Sequence, residues 1–193
     1  NARRARAFAP HARVYAMVKA DAYGHGLALA GDALAPEVDV LGVAVLHEAA
    51  SMRTRGYQGP LMVLEGVFDR TELAEAAGLD LEVVLHAEWQ LALLENEPRP
   101  LRVWLKVNTG MHRLGVPVDQ VPELLQRLDA LDRVHVEGLM THFACADQDD
   151  DPMTGDQAAI LTKLAREENR LFSASNSAAV MRYPDTHGSL VRP

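Results

Sequence analysis

Short apolar runs alternate with amphipathic segments along this chain. Eight runs lie at fairly even spacing, near residues 15–19, 40–45, 61–64, 81–85, 102–107, 134–142, 171–175 and 190–192. The segments between them include patterns typical of helices, at residues 27–34, 48–55, 71–77 and 121–128. Strands that alternate with helices indicate a parallel sheet. Eight of them predict an α/β fold of the (β/α)₈ TIM-like barrel type, and an open doubly wound sheet is the alternative.

The bulk composition is that of an ordinary α/β domain. The 193 residues are 48% hydrophobic, which is enough for one sizeable core, so we expect one barrel domain over residues 1–193. A net charge of −8 argues against nucleic acid or an anionic membrane as a partner. We find no apolar stretch of membrane-spanning length and no signal peptide, which predicts a cytoplasmic protein. Cys145 is the single cysteine, so an internal disulfide is excluded.

The most informative stretch is a lysine that follows a buried apolar run. Residues 14–18 predict a short strand, Lys19 follows it, and Gly24 and Gly26 allow a tight turn into a helix. Active sites of barrels of this type lie at the carboxyl ends of the strands. Apolar neighbours there disfavour the charged form of a lysine, and the free amine can attack a carbonyl group. Taken alone, a strand-end lysine more commonly extends into solvent.

Residues 18–26, with the sequence VKADAYGHG, resemble the lysine motif of alanine racemases, which are barrel enzymes that use pyridoxal 5'-phosphate (PLP). Four further segments resemble motifs of that family in the same order, at residues 105–115, 138–143, 175–179 and 191–193. The resemblance covers nearly the whole chain. It implies an isomerase that interconverts L-alanine and D-alanine and thereby supplies D-alanine for cell-wall peptidoglycan.

The resemblance also implies a larger protein, a homodimer with a second, mostly β domain after the barrel. We expect this chain to be a fragment truncated at both ends, because residues 1–7 have the pattern of a helix without a cap and the sequence stops at Pro193. In the family, a tyrosine of the partner's C-terminal domain supplies a second base. The fragment alone is therefore expected to be inactive.

The resemblance assigns cofactor roles to four residues near strand ends. Lys19 binds the PLP aldehyde and, once released, acts as the base toward the D-enantiomer. Tyr23 reaches the cofactor phosphate. Asn176 and Ser177 complete the phosphate site, with Ser177 expected to cap a helix whose amides face the anion.

Further cationic or titratable residues match family motifs. Arg192 is expected to face the pyridine nitrogen, which must then stay unprotonated, so that reprotonation at Cα is favoured over transamination. Arg113 is expected to contact the phenolic oxygen and the substrate carboxylate, and Lys106 matches a lysine that is often carbamylated and braces this arginine. His142 is expected to link Arg192 to the partner's tyrosine. Without the resemblance, Arg192 and Lys106 would be assigned to the surface, and His142 to a structural hydrogen bond.

A barrel predicts that these groups meet at one rim. The residues expected there are Lys19, Arg113, His142, Ser177 and Arg192. The remaining histidines show no paired spacing for a metal, so we predict none. The acidic run at 147–151 is interpreted as a solvated loop, with calcium binding as a distant alternative.

Four other functions are compatible with parts of this pattern. They are a racemase of serine or of several amino acids, a non-catalytic PLP-binding barrel of cofactor homeostasis, a decarboxylase, and a PLP-free barrel that binds sugar phosphates. A decarboxylase would be expected to place a carboxylate where Arg192 stands.

Overall fold

Eight parallel strands close into a barrel in which each strand pairs with the next along the chain and the last pairs with the first. The computed structural model describes residues 1–149 and 151–193. The strands are β1 (Arg13–Met17), β2 (Val40–Val43), β3 (Leu61–Val63), β4 (Glu82–Leu85), β5 (Leu101–Lys106), β6 (Val134–Met140), β7 (Phe172–Ser173) and β8 (Leu190–Val191). The predicted barrel is confirmed, and the open-sheet alternative is excluded.

Right-handed helices surround the barrel. They are α1 (Ala2–Phe8), α2 (Leu27–Leu34), α3 (Leu46–Thr54), α4 (Arg70–Gly78), α5 (Glu88–Leu94), α6 (Val121–Asp129), α7 (Met153–Glu167) and α8 (Ser177–Arg182). Short 3₁₀ turns lie at Val118–Gln120 and Pro184–Thr186. The helices predicted at 27–34, 48–55, 71–77 and 121–128 correspond to α2, α3, α4 and α6.

The core has two layers because successive strand residues face opposite sides of the barrel wall. The outward layer packs against the helices. The inward layer is a separate cluster that includes Tyr15, Met62 and Trp104. It also holds the buried carboxylate of Glu82, which accepts hydrogen bonds from Tyr15 Oη at 2.6 Å and Trp104 Nε1 at 3.0 Å. Burial and the Glu82 charge both raise the pKa of Tyr15. These buried side chains therefore fill the middle of the barrel interior.

The acidic run is only partly described, because Asp150 lies outside the described residues. Asp149 pairs with Arg182, and Asp151 accepts a hydrogen bond from the Met153 amide at 2.8 Å. No three His, Cys, Asp or Glu side chains in residues 1–149 and 151–193 are grouped to hold a metal ion. No helix in the same ranges has the length and apolar character needed to cross a membrane.

Candidate active site

A cavity of about 290 Å³ opens at the carboxyl ends of the strands. All seven residues predicted for the site line it: Lys19, Tyr23, Arg113, His142, Asn176, Ser177 and Arg192. The rest of its lining is Met17, Ala44, Leu64, Glu65, Lys106, Leu114, Met140 and Pro193. The barrel thus brings together motifs that are up to 173 positions apart in sequence, from Lys19 to Arg192.

Lys19 stands at the start of a left-handed turn and not on the strand. β1 ends at Met17, one residue before the predicted end of the strand at Val18. After Lys19, the residues from Ala20 to Tyr23 have φ values of 52°, 52°, 53° and 55°. This conformation costs roughly 1–2 kcal/mol for each L-residue, because Cβ approaches the next carbonyl oxygen. The turn reverses the chain so that Lys19 and Tyr23 both line the cavity.

The turn is continued by Gly24 and Gly26, with φ values of 85° and 90°, as the sequence predicted. Its distal end is fixed by Asp21, whose Oδ1 accepts a hydrogen bond from the Leu27 amide at 2.6 Å. This contact joins the turn to the first residue of α2. The glycine-rich segment is therefore an ordered part of the site.

Lys106 is buried at the end of β5, so its assignment to the surface is wrong. Burial, together with the positive charges of Arg192, Arg113 and Lys19, lowers the pKa of Lys106 to about 8. A minor fraction of this side chain is consequently a neutral amine at physiological pH, far more than for an exposed lysine. Unmodified Lys106 faces other cations, which is the repulsion expected from the sequence.

Arg192 is 5% exposed, so its assignment to the surface is also wrong. Its guanidinium donates hydrogen bonds to Ser173 Oγ, to the Thr141 carbonyl at 2.5 Å and to the Ala174 carbonyl at 3.4 Å. Burial lowers the pKa of Arg192 to about 10, which leaves it protonated at neutral pH. All three acceptors are uncharged, so the positive charge is not neutralised by them.

His142 lies two residues beyond β6, beside these cations. Burial, and then the charges of Arg192, Arg113, Lys106 and Lys19, lower the pKa of His142 to about 3. The imidazole is therefore neutral at physiological pH. The donors of Arg192 go to the oxygens of Thr141, Ser173 and Ala174, so the expected link from Arg192 to His142 is not among its hydrogen bonds.

The helix cap near the expected phosphate site differs from the prediction. Asn176, and not Ser177, is the N-cap of α8, because its backbone is extended and its Oδ1 accepts a hydrogen bond from the Ala179 amide at 3.1 Å. Ser177 is the first helical residue, so the prediction that it caps the helix is wrong. Both residues line the cavity, and the Ser177 hydroxyl is not used as a cap.

Arg113 is held at the rim by an ordered loop. Asn108 Oδ1 accepts hydrogen bonds from the amides of Gly110 at 3.2 Å and His112 at 3.0 Å. His112 has a φ of 56°, and Val107 pairs with Val116 to close the loop. The loop thus fixes the backbone directly before Arg113, whose side chain is exposed and lines the cavity.

The charges around the cavity suit an anionic ligand that carries an aldehyde. Lys19, Lys106, Arg113 and Arg192 supply positive charge, and Glu65 is the one carboxylate in the described lining. PLP carries a phosphate, a phenolic oxygen, a ring nitrogen and an aldehyde. The amine, guanidinium and hydroxyl groups present match these requirements, so the donor set fits PLP.

Comparison with known proteins agrees with this chemistry. The family described as "Alanine racemase, N-terminal domain" matches residues 1–193. The chain belongs to this family. It is 48% identical to an alanine racemase of Alcanivorax borkumensis and 44% identical to one of Thioalkalivibrio sulfidiphilus, in both cases over 100% of this chain. It spans about half of these relatives, 54% and 55% of their lengths.

Solved alanine racemase structures have the same fold as this family member. The biosynthetic alanine racemase of Pseudomonas aeruginosa superposes with a TM-score of 0.92 and 36% identity, over 98% of this chain and 53% of that one. The alanine racemase of Acinetobacter baumannii gives a TM-score of 0.92 and 33% identity, over 100% of this chain and 55% of the other. The barrel corresponds to about half of each of these chains.

Several residues of this domain were not identified from the sequence. Ser173 and Thr141 hold Arg192, Asn108 shapes the Arg113 loop, and Glu65 lines the cavity. Asn108 could have been found, because an asparagine two residues before a glycine is typical of a turn. Ser173 and Thr141 are recognisable only after strand register places them beside Arg192.

Proposed function

We propose that the full-length protein is a PLP-dependent racemase that interconverts L-alanine and D-alanine. The observation that carries this proposal is one cavity in which Lys19 lies with Tyr23, Arg113 and Arg192. PLP, when bound, supplies an electron sink that stabilises negative charge at the substrate Cα. The protein must then hold the cofactor and move protons at that carbon.

In this proposal Lys19 binds the cofactor aldehyde and, when released, accepts or donates the Cα proton on the D face. Its half-buried position behind a fixed turn limits the directions that the amine can sample. Tyr23, Asn176 and Ser177 bind the phosphate. These groups hold one end of the cofactor while Lys19 holds the other.

Arg192 is proposed to set the reaction type. A guanidinium has donors only, so a ring nitrogen opposite it must accept a hydrogen bond and stay unprotonated. The weaker electron sink keeps more negative charge at Cα, which favours proton return there. Neutral His142 adds no further positive charge beside Arg192.

Arg113 is proposed to bind the substrate carboxylate and the phenolic oxygen. Lys106 would brace it as a carbamate, formed when the neutral amine attacks carbon dioxide and releases one proton. The lowered pKa of Lys106, about 8, supplies that neutral amine. The carbamate would replace a repulsive pair of cations by an attractive pair.

A racemase needs a second base on the L face of Cα. We propose that the remaining half of the protein supplies it within a cytoplasmic homodimer, and that the product serves peptidoglycan synthesis. The barrel chain alone should then bind PLP weakly and not racemise alanine.

The test compares Lys19→Ala with Lys163→Ala in the full-length protein. Lys163 is the control because its side chain is 75% exposed on α7, away from the cavity. We expect Lys19→Ala to abolish the visible absorbance band of lysine-bound PLP and alanine racemisation, and Lys163→Ala to preserve both. Retention of the band in Lys19→Ala would refute the assignment. A panel of amino acids assayed with the unsubstituted enzyme should give the highest kcat/KM for alanine, and a higher value for serine would refute the substrate.

A further inference from the structure

Glu48 joins two loops of the barrel rim through one carboxylate. It is the third residue of α3 and is half-buried. Its Oε1 accepts a hydrogen bond from the Ala20 amide at 2.6 Å. Its Oε2 accepts from the Ala44 amide at 2.8 Å and the Val45 amide at 3.4 Å. One side chain therefore ties the residue after Lys19 to the loop that follows β2.

The Ala20 amide is the point at which the left-handed turn begins. The later amides of the turn find partners within it, since Ala22 bonds to the Val18 carbonyl and Gly24 to the Ala20 carbonyl. The Ala20 amide itself bonds to Glu48, which lies 28 positions away. Strained backbone of this kind persists only when its surroundings fix it. Glu48 does so at the start of the turn, and Asp21 does so at its end.

The contact between Glu48 and Ala20 differs from ordinary helix capping. A second glutamate of the same chain, Glu72, provides the comparison. Glu72 is likewise the third residue of its helix, α4, and accepts a hydrogen bond from the Phe68 amide at 2.8 Å. That contact stays within one strand-to-helix loop. Glu48 makes the same local contact with the Ala44 amide, also four residues earlier, and in addition reaches Ala20, beside the candidate catalytic lysine. A carboxylate strengthens such bonds because its charge attracts the amide dipoles.

We propose that Glu48 is a positioning residue for Lys19. By holding the Ala20 amide it fixes the left-handed turn, and the turn in turn fixes where the Lys19 amine stands in the cavity. The proposal rests on the proposed racemase function for its kinetic consequence, but the clamp itself is a property of the protein without cofactor.

The first measurement is amide hydrogen exchange in the full-length protein without PLP. The variants are Glu48→Gln, which replaces one carboxylate oxygen by a donor, and the matched control Glu72→Gln. We expect exchange in the peptide covering residues 18–27 to accelerate about tenfold in Glu48→Gln and to stay unchanged in Glu72→Gln. Equal protection of this peptide in all three proteins would overturn the clamp, whether or not the protein is a racemase.

The second measurement uses alanine deuterated at Cα, in each direction of the reaction. Misplacement of Lys19 should slow its proton transfer and lower kcat/KM about 10- to 100-fold in Glu48→Gln. The primary isotope effect should rise from D-alanine, where Lys19 breaks the C–D bond. It should fall from L-alanine, where the other base breaks it. Loss of rate with both isotope effects unchanged would indicate general destabilisation and contradict the positioning role.

A third variant keeps the test decisive if Glu48→Gln folds poorly, as judged by circular dichroism. Glu48→Asp keeps the charge but shortens the reach, so it should show the same isotope pattern with a smaller loss of rate. If unsubstituted protein does not racemise alanine, the proposed function fails while the exchange result still decides the clamp.

Discussion

At the scale of single residues, the main feature of the site is that basic side chains are buried away from water. Burial lowers the pKa of Lys106 to about 8, of Arg192 to about 10 and of His142 to about 3. At neutral pH the same physical cause thus leaves Arg192 charged, Lys106 charged with a minor neutral fraction, and His142 neutral. The three groups are therefore suited to different tasks within one cavity.

The neutral state of His142 makes stability depend on pH. In the unfolded chain its pKa lies near about 6.5, so below that pH the unfolded state binds a proton that the folded state does not. Stability from this group is complete above the unfolded pKa and is lost progressively as the pH falls toward about 3. We expect the unsubstituted protein to lose about 1–2 kcal/mol more than His142→Gln between pH 7 and pH 5.

Urea unfolding at both pH values measures this difference. The control is His47→Gln, at an exposed histidine of α3. It should leave the pH dependence of the free energy of unfolding unchanged. The same pH dependence in His142→Gln and the unsubstituted protein would show that folding does not lower the pKa of His142.

Individual site residues could be predicted from the sequence where they belong to a recognisable motif. Lys19 and Arg192 line one cavity although each, considered alone, would be placed at the surface. The choice of Asn176 over Ser177 as the cap was not predictable, because both residue types cap helices and a difference of one position decides it. Ser173 was missed because its role depends on the register between β7 and β8.

At the scale of elements, the strands follow from the sequence and the left-handed turn does not. Apolar runs between polar segments identify β2 and β3 because a buried strand needs little else. Residues Ala20 to Tyr23 have no local preference for positive φ, and alanine disfavours it. Their conformation is imposed by Glu48 and Asp21, a tertiary effect that periodicity does not reveal.

The same substitution should have opposite effects inside and outside this turn. Ala20 is exposed with a φ of 52°, so Ala20→Gly removes a steric conflict and keeps the amide that Glu48 binds. We expect it to raise the free energy of unfolding by about 0.5–1 kcal/mol. Ala33 is exposed in the right-handed helix α2, where Ala33→Gly should lower it by about 1 kcal/mol.

Thermal unfolding of the two variants beside the unsubstituted protein is the measurement. A loss of stability in Ala20→Gly similar to that in Ala33→Gly would mean that the turn carries no strain at this position.

At the scale of the whole molecule, the inward-facing cluster connects the strands beneath the cavity. The protein has two tryptophans, of which Trp104 is 1% exposed inside the barrel and Trp89 is 46% exposed on α5. Trp104 donates to buried Glu82 and meets Tyr15 edge-on, with ring centroids 6.3 Å apart. Its indole therefore contributes both volume and a donor to the barrel interior.

Replacing each tryptophan by phenylalanine should lower the free energy of unfolding by different amounts at the two positions. Trp104→Phe leaves the Glu82 carboxylate with one donor fewer in a dry interior, and we expect a loss of about 2–4 kcal/mol. Trp89→Phe should cost about 0.5 kcal/mol or less. Urea unfolding followed by far-ultraviolet circular dichroism measures both without relying on tryptophan emission, and equal losses would contradict the packing described for Trp104.

Arg192, which is proposed to face the ring nitrogen of PLP, also holds strands of the barrel wall together. β7 and β8 have two residues each and share a single register pair, Ser173 with Leu190. The contact between these two strands is therefore narrow. Arg192 spans it, because its guanidinium donates hydrogen bonds to Ser173 Oγ and to the Thr141 carbonyl beyond β6. An acidic replacement of Arg192 would direct negative charge at these oxygens and remove the contacts that hold β7 and β8 together. A change of residue at position 192 therefore requires a redesign of the barrel wall in the same step, so the architecture of the wall itself constrains this position to arginine.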